Sequence, residues 1–135
     1  MRGFKGERTL VRIHIGSKDR WQGRPLHEAI VALLRAEHLA GATVMRGIEG
    51  FGASAIVHKP SFARSSDAPI VVEFVETQEQ IDRILPKLDE MIGGGLITLE
   101  RAKVIMYRAD KPVEERTGSW PIDLGDRDPG EGRTG

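Results

Sequence analysis

Residues Gly41–Gly52 read GATVMRGIEGFG. The segment opens as a buried strand, Ala42-Thr43-Val44-Met45, and then meets three glycines within six residues, Gly47, Gly50 and Gly52. Glycine accepts positive φ and lets another group approach the main chain, so such a run suits a loop whose N–H groups face a ligand. Arg46 adds positive charge beside it. The plainer reading is a strand running into a loop that binds nothing, because an isolated glycine pattern has little specificity. The neighbouring elements bear on which reading holds.

Upstream, Thr9–Ile15 alternates, with Val11, Ile13 and Ile15 on one side and Leu10, Arg12 and His14 on the other, which predicts a strand. Gly16–Arg24 is polar and glycine-containing and reads as a loop, with Trp21 either clamping that loop or anchoring an interface. Pro25 suits the first position of a helix. Leu26, Ala29, Ile30, Leu33 and Leu34 then follow at helical spacing, and Gly41 is expected to end the helix.

Downstream, Ala53–Ser66 mixes small and polar residues and predicts a projecting arm longer than an ordinary hairpin loop. Ile70–Val75 is a nearly continuous apolar run interrupted by Glu73, as in a central strand covered on both faces. Thr77 and Gln80 have the spacing of a capping box. The helix they introduce carries Ile81, Ile84, Leu85, Leu88 and Ile92 on one stripe, with a kink expected at Pro86. Gly93-Gly94-Gly95 stops it. In the last strand, Leu96–Tyr107, the apolar phase slips after Leu99, which predicts a bulge near Glu100–Arg101. Residues 109–135 are dominated by proline, glycine and charge and read as a disordered tail, leaving one domain over 1–108.

Composition narrows the function. Twenty basic and twenty acidic side chains cancel, so no global field draws the chain to nucleic acid. Cysteine is absent, which excludes disulfides, thiolate metal sites and cysteine nucleophiles. No pair of His, Asp or Glu has a dependable metal spacing. No apolar run approaches the roughly 18 residues of a membrane span, so no direct membrane insertion is expected. The Met1–Arg8 start is too polar for a signal peptide, and a cytoplasmic location is the default expectation.

Two amphipathic helices must cover one face of a four-stranded antiparallel sheet, an α+β, ferredoxin-like βαββαβ arrangement. The other face then bears Leu10, Arg12, His14, Val71, Glu73 and Val75. Large apolar groups on an open face predict a homo-oligomer whose sheets pack together.

Taken in order, LVRIHIG (Leu10–Gly16), PLHEAIVALLR (Pro25–Arg35), GATVMRGIEGFG, APIVVEFVE (Ala68–Glu76) and GGGLITLE (Gly93–Glu100) resemble the small PII-like proteins of a domain-of-unknown-function family. The resemblance spans roughly Lys5–Tyr107 and extends, more distantly, to the PII nitrogen-regulatory proteins. It implies a trimer that holds an adenine nucleotide between subunits and signals through a mobile loop to a transporter, channel or metabolic enzyme.

Carried over by motif, the resemblance places Thr43 near the adenine and the loop Gly47–Gly52, with Ile48, Gly50, Phe51 and Gly52, at the base of the mobile loop. Glu73 and Val75 would lie beside the nucleotide, and Gly93, Gly94 and Gly95 would form a phosphate turn. The sequence departs from PII where Ala53 stands for a phosphate-contacting Arg and Leu96 for a Lys. A triphosphate needs several fixed cations or Mg²⁺, so AMP or ADP is expected in preference to ATP. The nucleotide is an effector, and no cofactor is required.

For single residues the alternatives stay open. Glu73 is a ligand contact, a base, or a carboxylate paired with Arg12 one strand away. Arg46 is a phosphate contact or a surface ion-pair partner. Neither a G-x-S-x-G elbow nor a Walker A pattern occurs, so no catalytic residue is assigned and a non-enzyme is expected. The alternatives are an acylphosphatase-like enzyme on the same fold and a structural oligomer without a ligand.

Overall fold

The computed structural model describes residues 6–52, 57–58 and 67–108, with positions 57 and 58 as backbone. The long strands are β1 (Gly6–Gly16), β4 (Thr43–Arg46), β7 (Pro69–Glu76) and β8 (Leu96–Val104), and the helices are α1 (Leu26–Ala36) and α2 (Gln78–Met91). Two short pairs, β2 (Arg20–Trp21) with β3 (Arg24–Pro25) and β5 (Gly50–Phe51) with β6 (Val57–His58), complete the set. The result is a small α+β protein with a four-stranded antiparallel sheet ordered β4-β7-β1-β8.

The alternation in β1 and β7 sorts the sheet's faces as predicted. Val11, Ile13, Ile15, Ile70, Val72 and Phe74 are buried with Leu26, Ile30 and Leu34 of α1 and Ile81, Ile84 and Leu88 of α2 in one core. Both helices therefore lie on the same face. The capping hydroxyl of Thr77 accepts from the Gln80 amide at 3.2 Å, and α2 stays helical on both sides of Pro86. The reciprocal half of the capping box is replaced, since the Thr77 amide goes to Glu76.

Several local expectations are corrected. Residues 42–45 do not form a buried strand. β4 is an edge strand exposed at all four positions, because it has one sheet neighbour and no helix above it. Likewise β7 is central, yet the chain covers only its alternate residues. Helix α1 stops at Ala36, not at Gly41. His38 adopts φ +61, and the His38→Arg35 and Leu39→Leu34 backbone bonds, both 3.0 Å, close a Schellman motif without glycine.

The expected bulge in the last strand is absent. Register with β1 is unbroken from Gly6↔Val104 to His14↔Leu96. The apolar pattern changes face because β8 runs past the helix layer, leaving Arg101 and Lys103 exposed on the helix side. The Gly16–Arg24 loop contains the β2–β3 hairpin, turned through Gln22 (φ 47) and Gly23 (φ 80), and Trp21 packs against the main core. The predicted arm, apart from the Val57–His58 backbone, and the predicted tail lie outside the described residues.

Candidate functional site

Across the sheet from the helices, directly opposed residues share the open face: Thr43 with Glu73, Met45 with Val71, and Leu10 with Val75 on one side and Glu100 on the other. At the Thr43 end of β4 this face dips into an open hollow of about 460 Å³. Leu10, Val75, Val104 and Met106 give it an apolar floor, while Thr43, Glu73 and Tyr107 bring polar groups to it. The segment Ala40–Ala42 forms its remaining wall.

Sequence reasoning had singled out Thr43, Glu73 and Val75, and the fold brings these three together in the hollow. The other candidates lie elsewhere. Arg46 is exposed at the far end of β4, opposite Ile70, and so belongs to the helix side of the sheet while Thr43 belongs to the open side. Ile48 and Phe51 are 80% and 76% exposed beyond it, beside Gly50 and Gly52. Gly93, Gly94 and Gly95 precede β8, the opposite edge of the sheet. Three strand spacings, roughly 14 Å, separate the two edges.

The glycines divide into those that touch the fold and those that do not. A Cβ on Gly47 would come within 2.6 Å of the Pro69 ring, and the Gly47 amide already donates to the Pro69 carbonyl at 2.7 Å. That amide serves the base of the β4–β7 connection, not an open cradle. A Cβ on Gly95 would lie 2.6 Å from the His14 carbonyl oxygen, so this position must be glycine for the turn to close onto β1. Gly52, Gly93 and Gly94 have open space where a side chain would be.

Electrostatics on the open face centre on Arg12. Its Nε donates to Glu73 Oε1 at 2.6 Å and its Nη1 to Glu100 Oε1 at 3.0 Å, which confirms the cross-strand partner expected for Glu73. The hydrogen bond donated to Glu73, then the Glu100 charge, holds the guanidinium above its usual range, so Arg12 is permanently cationic. The triad, two carboxylates on one cation, sits within the apolar surroundings of Leu10, Val71 and Val75.

Sequence reasoning missed the clamp that shapes the hollow. Glu76, buried at the end of β7, accepts the Ala40 amide at 2.8 Å and the Thr77 amide at 3.2 Å. Tyr107 Oη donates to the Ala40 carbonyl at 3.2 Å from the other side. Both polar groups of one peptide residue are thus tied down, fixing the wall. The sequence carries one signal of it, a glutamate at 76 in phase with Ile70, Val72 and Phe74, where an apolar residue belongs.

At the opposite end, the loop after β1 has its amides occupied by the protein. Gly16 donates to Asp19 Oδ2 at 2.8 Å, Lys18 to Asp67 Oδ1 at 3.0 Å, and Ser17 to the Ala68 carbonyl at 2.8 Å. Among the described residues no cluster of His, Asp and Glu is arranged to hold a metal ion, and no helix is long and apolar enough to cross a membrane.

Residues 8–104 match the family model DUF190, described as an uncharacterized ACR. The chain is similar to the UPF0166 protein MJ1524 of Methanocaldococcus jannaschii, 34% identical over 91 residues, which cover 67% of this chain and 84% of that protein. It is equally similar to a UPF0166 protein of Aquifex aeolicus, 34% identical over 102 residues, covering 73% of this chain and 94% of the relative. A second Aquifex aeolicus UPF0166 protein is 36% identical over 67 residues, 49% of this chain and 70% of its own length. With both helices, β4, β7, β8 and all but the first two residues of β1 inside the matched span, the chain belongs to the DUF190 family.

Proposed function

We propose that this is a PII-like regulatory protein on a ferredoxin-like fold, whose copies form a homotrimer and hold an adenine nucleotide in the clefts between them. One observation carries the reading: the candidate ligand residues fall in two groups, Thr43–Gly52 in β4 and the loop after it, with Glu73 and Val75 on the adjacent β7, and Gly93–Gly95 before β8 at the other edge of the sheet. A single chain leaves them apart, whereas the β4 edge of one copy beside the β8 edge of the next completes a site. The exposure of all four β4 residues, Met45 among them at 41%, and of Leu96 at 56%, favours such an assembly.

Within that cleft Thr43 and Val75 take the base, and Arg46 with the Gly93–Gly95 turn takes the phosphates. Few fixed cations are available, and the Gly47 amide is engaged by Pro69, so AMP or ADP is preferred over ATP. Binding biases the segment 53–66 toward one arrangement and so controls a partner protein, by resemblance a transporter, channel or metabolic enzyme. The acylphosphatase-like alternative requires free amides in the loop after β1, where Gly16, Ser17 and Lys18 already bond within the chain.

Light scattering of the purified protein, followed by titration calorimetry with AMP, ADP and ATP, tests the proposal. A trimer is expected, with AMP or ADP bound more tightly than ATP. At 100-fold excess over Kd the ligand adds about 2.7 kcal/mol of stability, visible as a rise in melting temperature. A stable monomer removes the shared cleft. No melting shift with any of the three nucleotides at millimolar concentration leaves a structural oligomer, and ATP tighter by tenfold overturns the phosphate argument alone.

A further inference from the structure

The hollow on the open face has a fitting occupant in the chain's own sequence. β8 ends at Val104, and Met106 and Tyr107 already line the hollow, so the chain leaves the fold at the rim. The Tyr107–Ala40 hydrogen bond fixes that exit. Beyond it lie residues 109–135, outside the family match that ends at 104. The Aquifex aeolicus relative, 94% covered by 102 aligned residues, is shorter than this 135-residue chain. The segment 114–119 is EERTGS, and the apolar group Trp120-Pro121-Ile122 with Leu124 follows it.

We propose that Trp120–Leu124 seats in the hollow bounded by Leu10, Val75, Val104 and Met106. Size agrees, since about 460 Å³ lies in the range of pockets that enclose small organic groups. Chemistry agrees as well. An indole contributes a large apolar ring and one N–H that needs an acceptor, and Thr43 and Glu73 are among the residues that line the hollow. Reach is ample, because the residues between Arg108 and Trp120 span up to about 40 Å when extended. A short tether sets an effective concentration in the millimolar range, so even a millimolar intrinsic affinity keeps the hollow substantially filled. This inference does not rest on nucleotide binding, and its test contains no nucleotide.

The sequence lacks cysteine, so a cysteine introduced in the full chain by Ser119→Cys carries a nitroxide label at one place. Methyl signals of Leu10, Val75 and Val104 are expected to broaden, while those of Ile30 and Leu88, on the helix side, stay sharp. Adding Trp120→Ala to the labelled chain should reduce the broadening severalfold, with unchanged Ile30 and Leu88 signals reporting an intact fold. Mixing labelled chain with isotope-enriched unlabelled chain tells whether the segment comes from the same copy or a neighbour, and either supports seating. Sharp open-face methyls, broadening spread over all methyls, or broadening unchanged by Trp120→Ala overturns the proposal; the last two point to random encounter or to cover by another copy's sheet.

Discussion

The helix-covered and open faces of the sheet are made from alternate residues of the same strands, and they differ in what completes them. On one, Val11, Ile13, Val72 and Phe74 find their cover in α1 and α2. On the other, Leu10, Val71 and Val75 surround the Arg12–Glu73–Glu100 triad and find no helix above them. Period-two alternation fixes both faces equally, whereas cover has to come from elsewhere in the chain or from outside it. The largest effects should therefore come from the first face and depend on nothing but the chain. Ile13→Ala, at a fully buried position, is expected to cost about 3 kcal/mol. Leu10→Ala should cost under about 1 kcal/mol in dilute solution and more as concentration rises, if copies cover that face. Urea denaturation at two protein concentrations separates them, and equal, concentration-independent costs would erase the distinction between the faces.

A contrast of the second rank lies within one turn. Gly95→Ala places a methyl carbon 2.6 Å from the His14 carbonyl and should cost about 2 kcal/mol, as overpacking against main chain does. Gly93→Ala meets nothing within 4 Å and should stay within about 0.5 kcal/mol of the parent. If both are neutral, the turn does not close onto β1 as described. If Gly93→Ala leaves stability alone yet weakens AMP or ADP binding, the turn's role as a phosphate contact gains its first direct support.

The sequence makes the helix-covered face legible, because the alternation of β1 and the helical stripes of α1 and α2 are each carried by a single segment. It hides the edges. Thr43–Met45 has the residues of a buried strand, but its place beside β7 alone leaves it exposed, and sheet order is not written in any one segment. Leu96–Val104 looked bulged because the sequence does not show where the helix layer stops. Of the site, Thr43, Glu73 and Val75 were identified by motif. Glu76 and Tyr107 were not, since a buried carboxylate on two amides and a phenol on a carbonyl join positions far apart in the chain.

A smaller effect tests the helix layer alone. His38 holds φ +61 at the end of α1, where a glycine would carry no steric penalty. His38→Gly is expected to add up to about 1 kcal/mol, by the same amount at every protein concentration, because the Schellman turn bonds back to Leu34 and Arg35 of α1 and packs Leu39 into the core. A gain that varies with concentration would show that assembly reaches round to the helices.

The smallest effect compares the ionic groups of the two sides. Glu37, between the helices, bonds to Lys87 and lies 3.9 Å from Arg83 Nε; the Lys87 hydrogen bond is the main reason its carboxyl sits below its usual range. A folded value depressed below the unfolded 4.5 means that the pair's contribution is fully present above that pH and fades as pH falls through the folded value. Glu37→Gln should therefore lower stability slightly at neutral pH, with the gap to the parent closing in acid and shrinking in high salt. Arg12 on the open face keeps its own charge throughout this range, since its two carboxylate partners raise a value already far above it. Melting curves from pH 7 to pH 3 for Glu37→Gln beside the parent check the sign. A Glu37→Gln gap that widens in acid reverses the sign and would mean that Lys87 does not hold the carboxylate in the folded chain.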